Sequence, residues 1–161
     1  MEVPYKILED LEEILKYQKN KKSTGWKWGW RIHPITNHKQ FHNGIDLPAY
    51  VGTPIYCPYD AKVIKLWNDK LNGNALRLRH VFNKNIVETA YAHMYRFPRY
   101  IKYCKEDDIL IKAGMIIGYV GGTGRATGSH LHFIMRLKKA YKLEKLWRRD
   151  INPLDLLENS C

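Results

Sequence analysis

The sequence predicts a mainly β, antiparallel fold with one amphipathic helix ahead of it. Three observations carry that prediction. Short β-rich runs recur along the chain from Trp26 onward. Turn residues punctuate them, above all Asn72-Gly73 and the series Gly118, Gly121, Gly122, Gly124 and Gly128. Leu76, Leu78 and His80 alternate with Arg77 and Arg79, the period of a half-buried strand.

Taken in order, Pro4 to Lys22 reads as the helix. Ile7, Leu8, Leu11, Ile14 and Leu15 fall three and four residues apart, with Glu and Lys on the other face. Residues 1–25 are read as a helix and lead-in packed on the body, with a docking or dimerising helix as the alternative, and residues 26–161 as a single domain. Thr53 to Tyr56 and Ala61 to Trp67 are the first strand signals, bounded by Pro54, Pro58 and Asp60. Leu76 to His80, Ile86 to His93, Met115 to Val120 and His130 to Arg136 complete the set. The tail Tyr141 to Arg149 is basic, and Asp150 to Leu154 closes the domain with a turn. Strands this short and this closely spaced argue for antiparallel pairing.

Composition excludes whole classes. The chain has 161 residues and a net charge of +11, with 45% hydrophobic residues, enough for one ordinary core. Its 5 Trp, 11 Tyr and 4 Phe rule out intrinsic disorder. Leu47 to Tyr59 is the longest uncharged stretch, and three prolines break it, so no transmembrane span is expected. The N-terminus carries no signal-peptide pattern. Cys57, Cys104 and Cys161 are odd in number and far apart, and read as reduced structural residues. The positive charge predicts attraction to polyanions, without choosing among nucleic acid, anionic lipid and cell wall.

The histidines are more specific. Phe41-His42-Asn43-Gly44-Ile45-Asp46, Tyr91-Ala92-His93 and Ser129-His130-Leu131-His132-Phe133 each set a histidine in a strand-like, partly apolar context. Imidazoles together with a carboxylate suit Zn²⁺. His130 and His132 lie two apart on a strand, about 7 Å along one face. His42 and Asp46 would stand about 13 Å apart on a straight strand, too far to share an ion. The chain must bend between them if both bind one metal, and Asn43-Gly44 is suited to that bend.

These segments resemble the lysostaphin-type zinc endopeptidases. The likeness lies in Gly29-Trp-Arg-Ile-His-Pro-Ile-Thr, Phe41-His-Asn-Gly-Ile-Asp, Gly52-Thr-Pro-Ile-Tyr and Tyr91-Ala-His-Met, and in Gly114 to Phe133 with its His-Leu-His. It runs from about Gly29 to Leu157. It implies a two-sheet, mainly antiparallel fold with a substrate groove, and hydrolysis of peptide cross-links in bacterial peptidoglycan. Position by position, it implies that His42, Asp46 and His132 bind one zinc per chain, and that His93 and His130 are the unligated catalytic histidines. Spacing alone does not say which of His130 and His132 is the ligand. The chain departs from the pattern at Ser129, where Pro is usual, and at Ile134, where an acidic or amide residue often stands. Its segment between Tyr95 and Ile111 is also unusual. These departures bear on substrate preference.

Three protein ligands leave a fourth position for water, the arrangement of a catalytic site. No Glu lies within the metal motifs, so the general base should be an imidazole. His130 is assigned that role, with His93 stabilising the oxyanion or protonating the leaving amine; the two are exchangeable. His33, His38 and His80 read as structural, incidental and half-buried core residues. Lys19 to Arg31 mixes basic and aromatic residues as nucleic-acid binders do, yet reads as a solvated lead-in, so no nucleic-acid partner is expected. The remaining alternative is a non-catalytic wall-binding or amidase-activating module of the same fold, against which all five site positions are filled. A monomeric enzyme of the wall or periplasm, of phage-lysin type, that adsorbs to anionic envelopes is expected.

Overall fold

The computed structural model describes residues 27–82, 85–103, 109–139 and 148–154. The expected N-terminal helix, Cys104, Cys161 and most of the basic tail lie outside them. The described chain is mainly β, with strands β1 (Gly29–Ile32), β2 (Lys39–His42), β3 (Ile45–Pro48), β4 (Pro54–Tyr56), β5 (Ala61–Asp69), β6 (Gly73–Phe82) and β7 (Asn85–Met94). A single helical turn, α1 (Arg99–Lys102), separates these from β8 (Leu110–Ile111), β9 (Ile116–Tyr119), β10 (His130–Lys139) and β11 (Arg148–Ile151).

All pairings are antiparallel. The main sheet has the order β11-β10-β7-β6-β5-β8, and β3 also pairs with β10. Two ribbons, β1-β2 and β4-β9, flank it. Strand β10 is the axis of the arrangement. Its residues His130 to Phe133 pair with β3, Met135 to Lys138 pair with β11, and its other edge pairs with β7.

Alternation sorts the side chains of β10 and its neighbours onto two faces. Leu131, Phe133 and Met135 join Val63, Leu76, Leu78 and Tyr91 in the core cluster. Ile45 and Leu47 of β3 extend that face beside Phe133 and Leu131, and Ile55 of β4, Ile101 of α1 and Ile117 of β9 belong to the same core cluster. The opposite face carries His130, His132, Ile134 and Arg136. His80 is buried more deeply than its alternating strand suggests, at 2% exposure. Burial drives its pKa down to about 4, and its Nε2 lies 2.9 Å from the Thr89 hydroxyl. Cys57 is buried too; burial pushes its thiol up to about 12, and its Sγ donates to the Tyr59 carbonyl.

The six strands read from the sequence are present, with small shifts at their ends. Strands β1, β2, β3, β8 and β11 were not predicted. They have two to four residues each, too few for a period to register. The segment read as a closing turn begins inside β11, because Arg148 to Ile151 finds an edge of β10 to pair with.

Two glycines hold the site's framework. Gly73 closes the β5-β6 hairpin with φ +61, and the Asp69 carboxylate caps the turn by accepting from the Leu71 and Asn72 N–H groups. At Gly44 the constraint is space. A Cβ there would stand 2.4 Å from the Phe133 carbonyl oxygen and 2.9 Å from His132 Cε1. Gly44→Ala is therefore expected to cost about 1–3 kcal/mol, as overpacking does. Gly128→Ala, with nothing within 4 Å of the added carbon, should change stability by about 0.5 kcal/mol or less. Denaturant unfolding of both variants checks this, and equal stabilities would contradict the close approach.

Candidate metal centre

Three donor atoms converge at one end of the open sheet face. Asp46 and His132 are direct partners across the β3-β10 pairing. Their Oδ1 and Nδ1 atoms stand 2.8 Å apart. His42 ends β2, and the Asn43-Gly44 bend turns the chain so that its Nε2 comes 3.2 Å from Asp46 Oδ1 and 3.0 Å from His132 Nδ1. The bend anticipated between His42 and Asp46 is thus present. Gly44 serves it by letting the backbone approach β10.

The donor set fits a zinc ion. Tetrahedral ligands bound at about 2.0–2.2 Å lie about 3.3–3.6 Å apart, so closing on an ion needs shifts of only about half an ångström. Burial lowers the pKa of His132, favouring the neutral ring that ligates. Burial opposes ionisation of Asp46, but the adjoining imidazoles of His132 and His42 outweigh it and hold the carboxyl far below its usual range. A carboxylate and two imidazoles so disposed make a group able to hold a metal ion.

Outer contacts orient these donors. His42 Nδ1 donates to the Lys27 carbonyl at 2.8 Å, which leaves Nε2 bare for a metal. Asp46 Oδ2 accepts from Arg31 Nη1 at 2.8 Å, leaving Oδ1 on the metal side. Sequence reasoning gave Arg31 no role. It lies fifteen residues from Asp46, and only the β1-β2 ribbon brings the two together.

His93 and His130 sit beside this group. Their ring centres are 4.7 Å apart, and His93 is 6.0 Å from His132. His130 lies on the same face as His132, two residues away on β10, and its Nε2 is 3.6 Å from Asp46 Oδ1. His93 arrives differently. On a regular strand it would share the core face with Tyr91. It adopts φ +61, a left-handed conformation uncommon outside glycine, and this swings its ring to the face of His132.

Thr123 fixes that conformation. Its carbonyl accepts from His93 Nδ1 at 2.8 Å, while its hydroxyl donates to the Met94 carbonyl and accepts from the Asn74 N–H. Carbonyl oxygens only accept, so Nδ1 of His93 carries the hydrogen, as does Nδ1 of His130 facing the Gly128 carbonyl at 2.8 Å. Both rings therefore present a bare Nε2. Burial lowers the pKa of His93 to about 4, so its ring rests neutral.

A cleft of about 130 Å³ opens over the five residues, with Arg31, Arg125 and Asn72 in its walls. His33 also lines it, but its Nδ1 accepts from the Ile35 and Thr36 N–H groups, which makes it the cap of a turn. His38 is exposed and His80 lies in the core. Ser129 ties β10 to β3 by donating to the Ala49 carbonyl. Among the described residues no helix is long and apolar enough to cross a membrane.

Comparison with known proteins identifies relatives of this chain. The sequence pattern of peptidase family M23 matches residues 40–143. The DD-carboxypeptidase/endopeptidase Mpg of Neisseria meningitidis is 37% identical over 110 residues, covering 68% of this chain and 23% of that protein. The chain thus spans about a quarter of the length of the curated relatives it matches. A zinc-containing peptidase from Vibrio cholerae superposes with a TM-score of 0.55 at 35% identity, over 68% of this chain and 32% of the other. The catalytic domain of lysostaphin from Staphylococcus simulans superposes at 0.60 with 23% identity, over 89% and 96%, a likeness of fold. The family pattern covers more than half of the chain, and the chain belongs to peptidase family M23.

Proposed function

We propose that the protein is a zinc-dependent endopeptidase that hydrolyses peptide cross-links of bacterial peptidoglycan. The observation that carries this reading is the juxtaposition of a three-donor metal group with two bare imidazole nitrogens at the mouth of one cleft. His42 Nε2, Asp46 Oδ1 and His132 Nδ1 would hold the metal, and residues 26–161 would form the catalytic domain. Zinc with three protein ligands polarises a scissile carbonyl and brings the pKa of a water towards 7.

The chain's own residues then handle protons. His130 Nε2 accepts one from the attacking water, and the Gly128 carbonyl opposite Nδ1 steadies the imidazolium that results. His93 rests neutral, so it acts as a donor only after taking up a proton. It then donates from Nε2 to the developing oxyanion or the leaving amine, with Thr123 holding the ring in place. The two rings have matching tautomers, so these roles are exchangeable. Between a D-alanyl–diamino-acid cross-link and an oligoglycine bridge we favour the first, which the name of the meningococcal relative supports. A monomer acting at the wall or in the periplasm, as a phage-type lysin does, fits this reading.

Three outcomes test it. His132→Ala leaves two ligands and should lose zinc, whereas His130→Ala should keep one zinc per chain and lose about 10²–10⁴-fold in rate. Zinc content of the two purified variants decides between them, and a metal-free His130→Ala would reverse the roles. Arg31→Met frees Asp46 Oδ2 and should weaken zinc affinity by about 10–100-fold, read by competition with a chelating dye. The charge of +11 should concentrate the enzyme on anionic walls. Raising salt from 0.1 to 1 M, which shortens the Debye length from about 10 to 3 Å, should slow lysis of whole walls far more than cleavage of a small neutral peptide. Equal slowing of both would place the salt effect at the site.

A further inference from the structure

We propose that the open sheet face beside the metal centre is a subsite for a substrate carboxylate, bound by Arg77 and Lys65. The idea rests on the endopeptidase reading only for its occupant, a peptide.

Strand register builds the site. His132 has Ala92 beside it on β7. Two residues further along β10, Ile134 lies opposite Ala90, Ala90 opposite Arg77, and Arg77 opposite Lys65. These four form one row across the sheet, on the face that carries His132. From strand spacings, the Arg77 backbone is roughly 12 Å from that of His132, so its side chain reaches a peptide about two to four residues from the scissile bond.

The row is a groove because its floor is small. Ala90 and Ala92 are buried there, and Ile134 gives an apolar edge. The cavity above them is about 450 Å³, and it shares Asn43 and Asn72 with the metal cleft. A peptide can therefore run from one into the other. Lys65, Arg77 and Arg136 line the cavity, and among the described residues no carboxylate does. Arg136 is engaged by Asp150, and Arg79 in the next row faces Glu88 at 3.5 Å.

Trp67 organises the other two cations. Its indole N–H donates to Asp69 Oδ2 at 3.0 Å, which fixes the ring. Lys65 Nζ and Arg77 Cζ each stand 5.5 Å from the ring centre. Cation–π contact with the same ring holds both heads beside Trp67. A guanidinium fork and an ammonium lining one cavity around that ring recognise a carboxylate by charge-assisted hydrogen bonds, which a primary amide reproduces poorly.

The experiment uses the zinc-loaded full chain and two synthetic cross-linked peptides. One has free branch carboxylates, and in the other these are primary amides. Cleavage gives kcat/KM, and tryptophan fluorescence gives Kd. The wild type should favour the acid over the amide by about tenfold or more, mostly in KM. That ratio should fall below about threefold in Arg77→Gln and in Lys65→Gln. Lys65 is exposed, so its variant should fold even if the other does not, and thermal melting checks both. Cleavage of both peptides with equal kcat/KM by the wild type would overturn the subsite and leave the endopeptidase reading standing. Preferential binding of the acid that is lost in the variants, without cleavage of either peptide, would uphold the subsite and overturn that reading. Failure to bind or cleave either peptide would overturn both.

Discussion

The pairing of β10 with β3 on one edge and β7 on the other sets the positions on which the rest of the site depends. Its register puts Asp46 directly opposite His132 and Ala92 on the other side. A slip of one residue would turn His132 into the core and expose Phe133. Leu131, Phe133 and Met135 oppose that slip, because each is buried in the core cluster. The hydrophobic face of β10 thereby positions the donor atoms on its polar face. Packing in this chain is a condition of the metal chemistry.

Two departures from regular strand geometry complete the site. Gly44 lets the β2-β3 bend lie against the β10 backbone, where any larger residue would collide with Phe133 and His132. His93 takes a left-handed conformation that costs free energy for a residue with a Cβ. Bonds around it offset that cost: its N–H donates to the Asn72 carbonyl, its ring donates to Thr123, and Thr123 is anchored to Asn74 and Met94. The strain lies where an imidazole must leave the core face and reach the cleft.

The face opposite the core is not uniform. Near β3 it carries histidines and a carboxylate; towards β5 it carries arginine and lysine around a tryptophan. Alanines on the central strand keep the two regions continuous. Ile134, an unusual residue for its position, lies between them as an apolar edge to the groove. The cleft has a metal-binding group at one end and cations along its length, and the whole chain carries a net charge of +11.

Local pattern made much of this legible. Alternation in Leu76 to His80 and in His130 to Arg136 marked the long strands, and it placed His130 and His132 on one face. Asn72-Gly73 marked the hairpin, and the impossibility of His42 and Asp46 sharing an ion on a straight strand required the bend at Gly44. The motif resemblance named five candidate site residues, and the fold brings all five together. Tertiary pairing decided what no local window holds. Arg31 reaches Asp46 through a ribbon of four-residue strands too short to show a period. His93 leaves the alternation because Thr123, thirty residues away, holds it there. The groove exists because register aligns residues from four strands. Periodicity reports which way a side chain faces along its own strand, but a site is a distance between strands, and those distances are fixed only when the sheet closes.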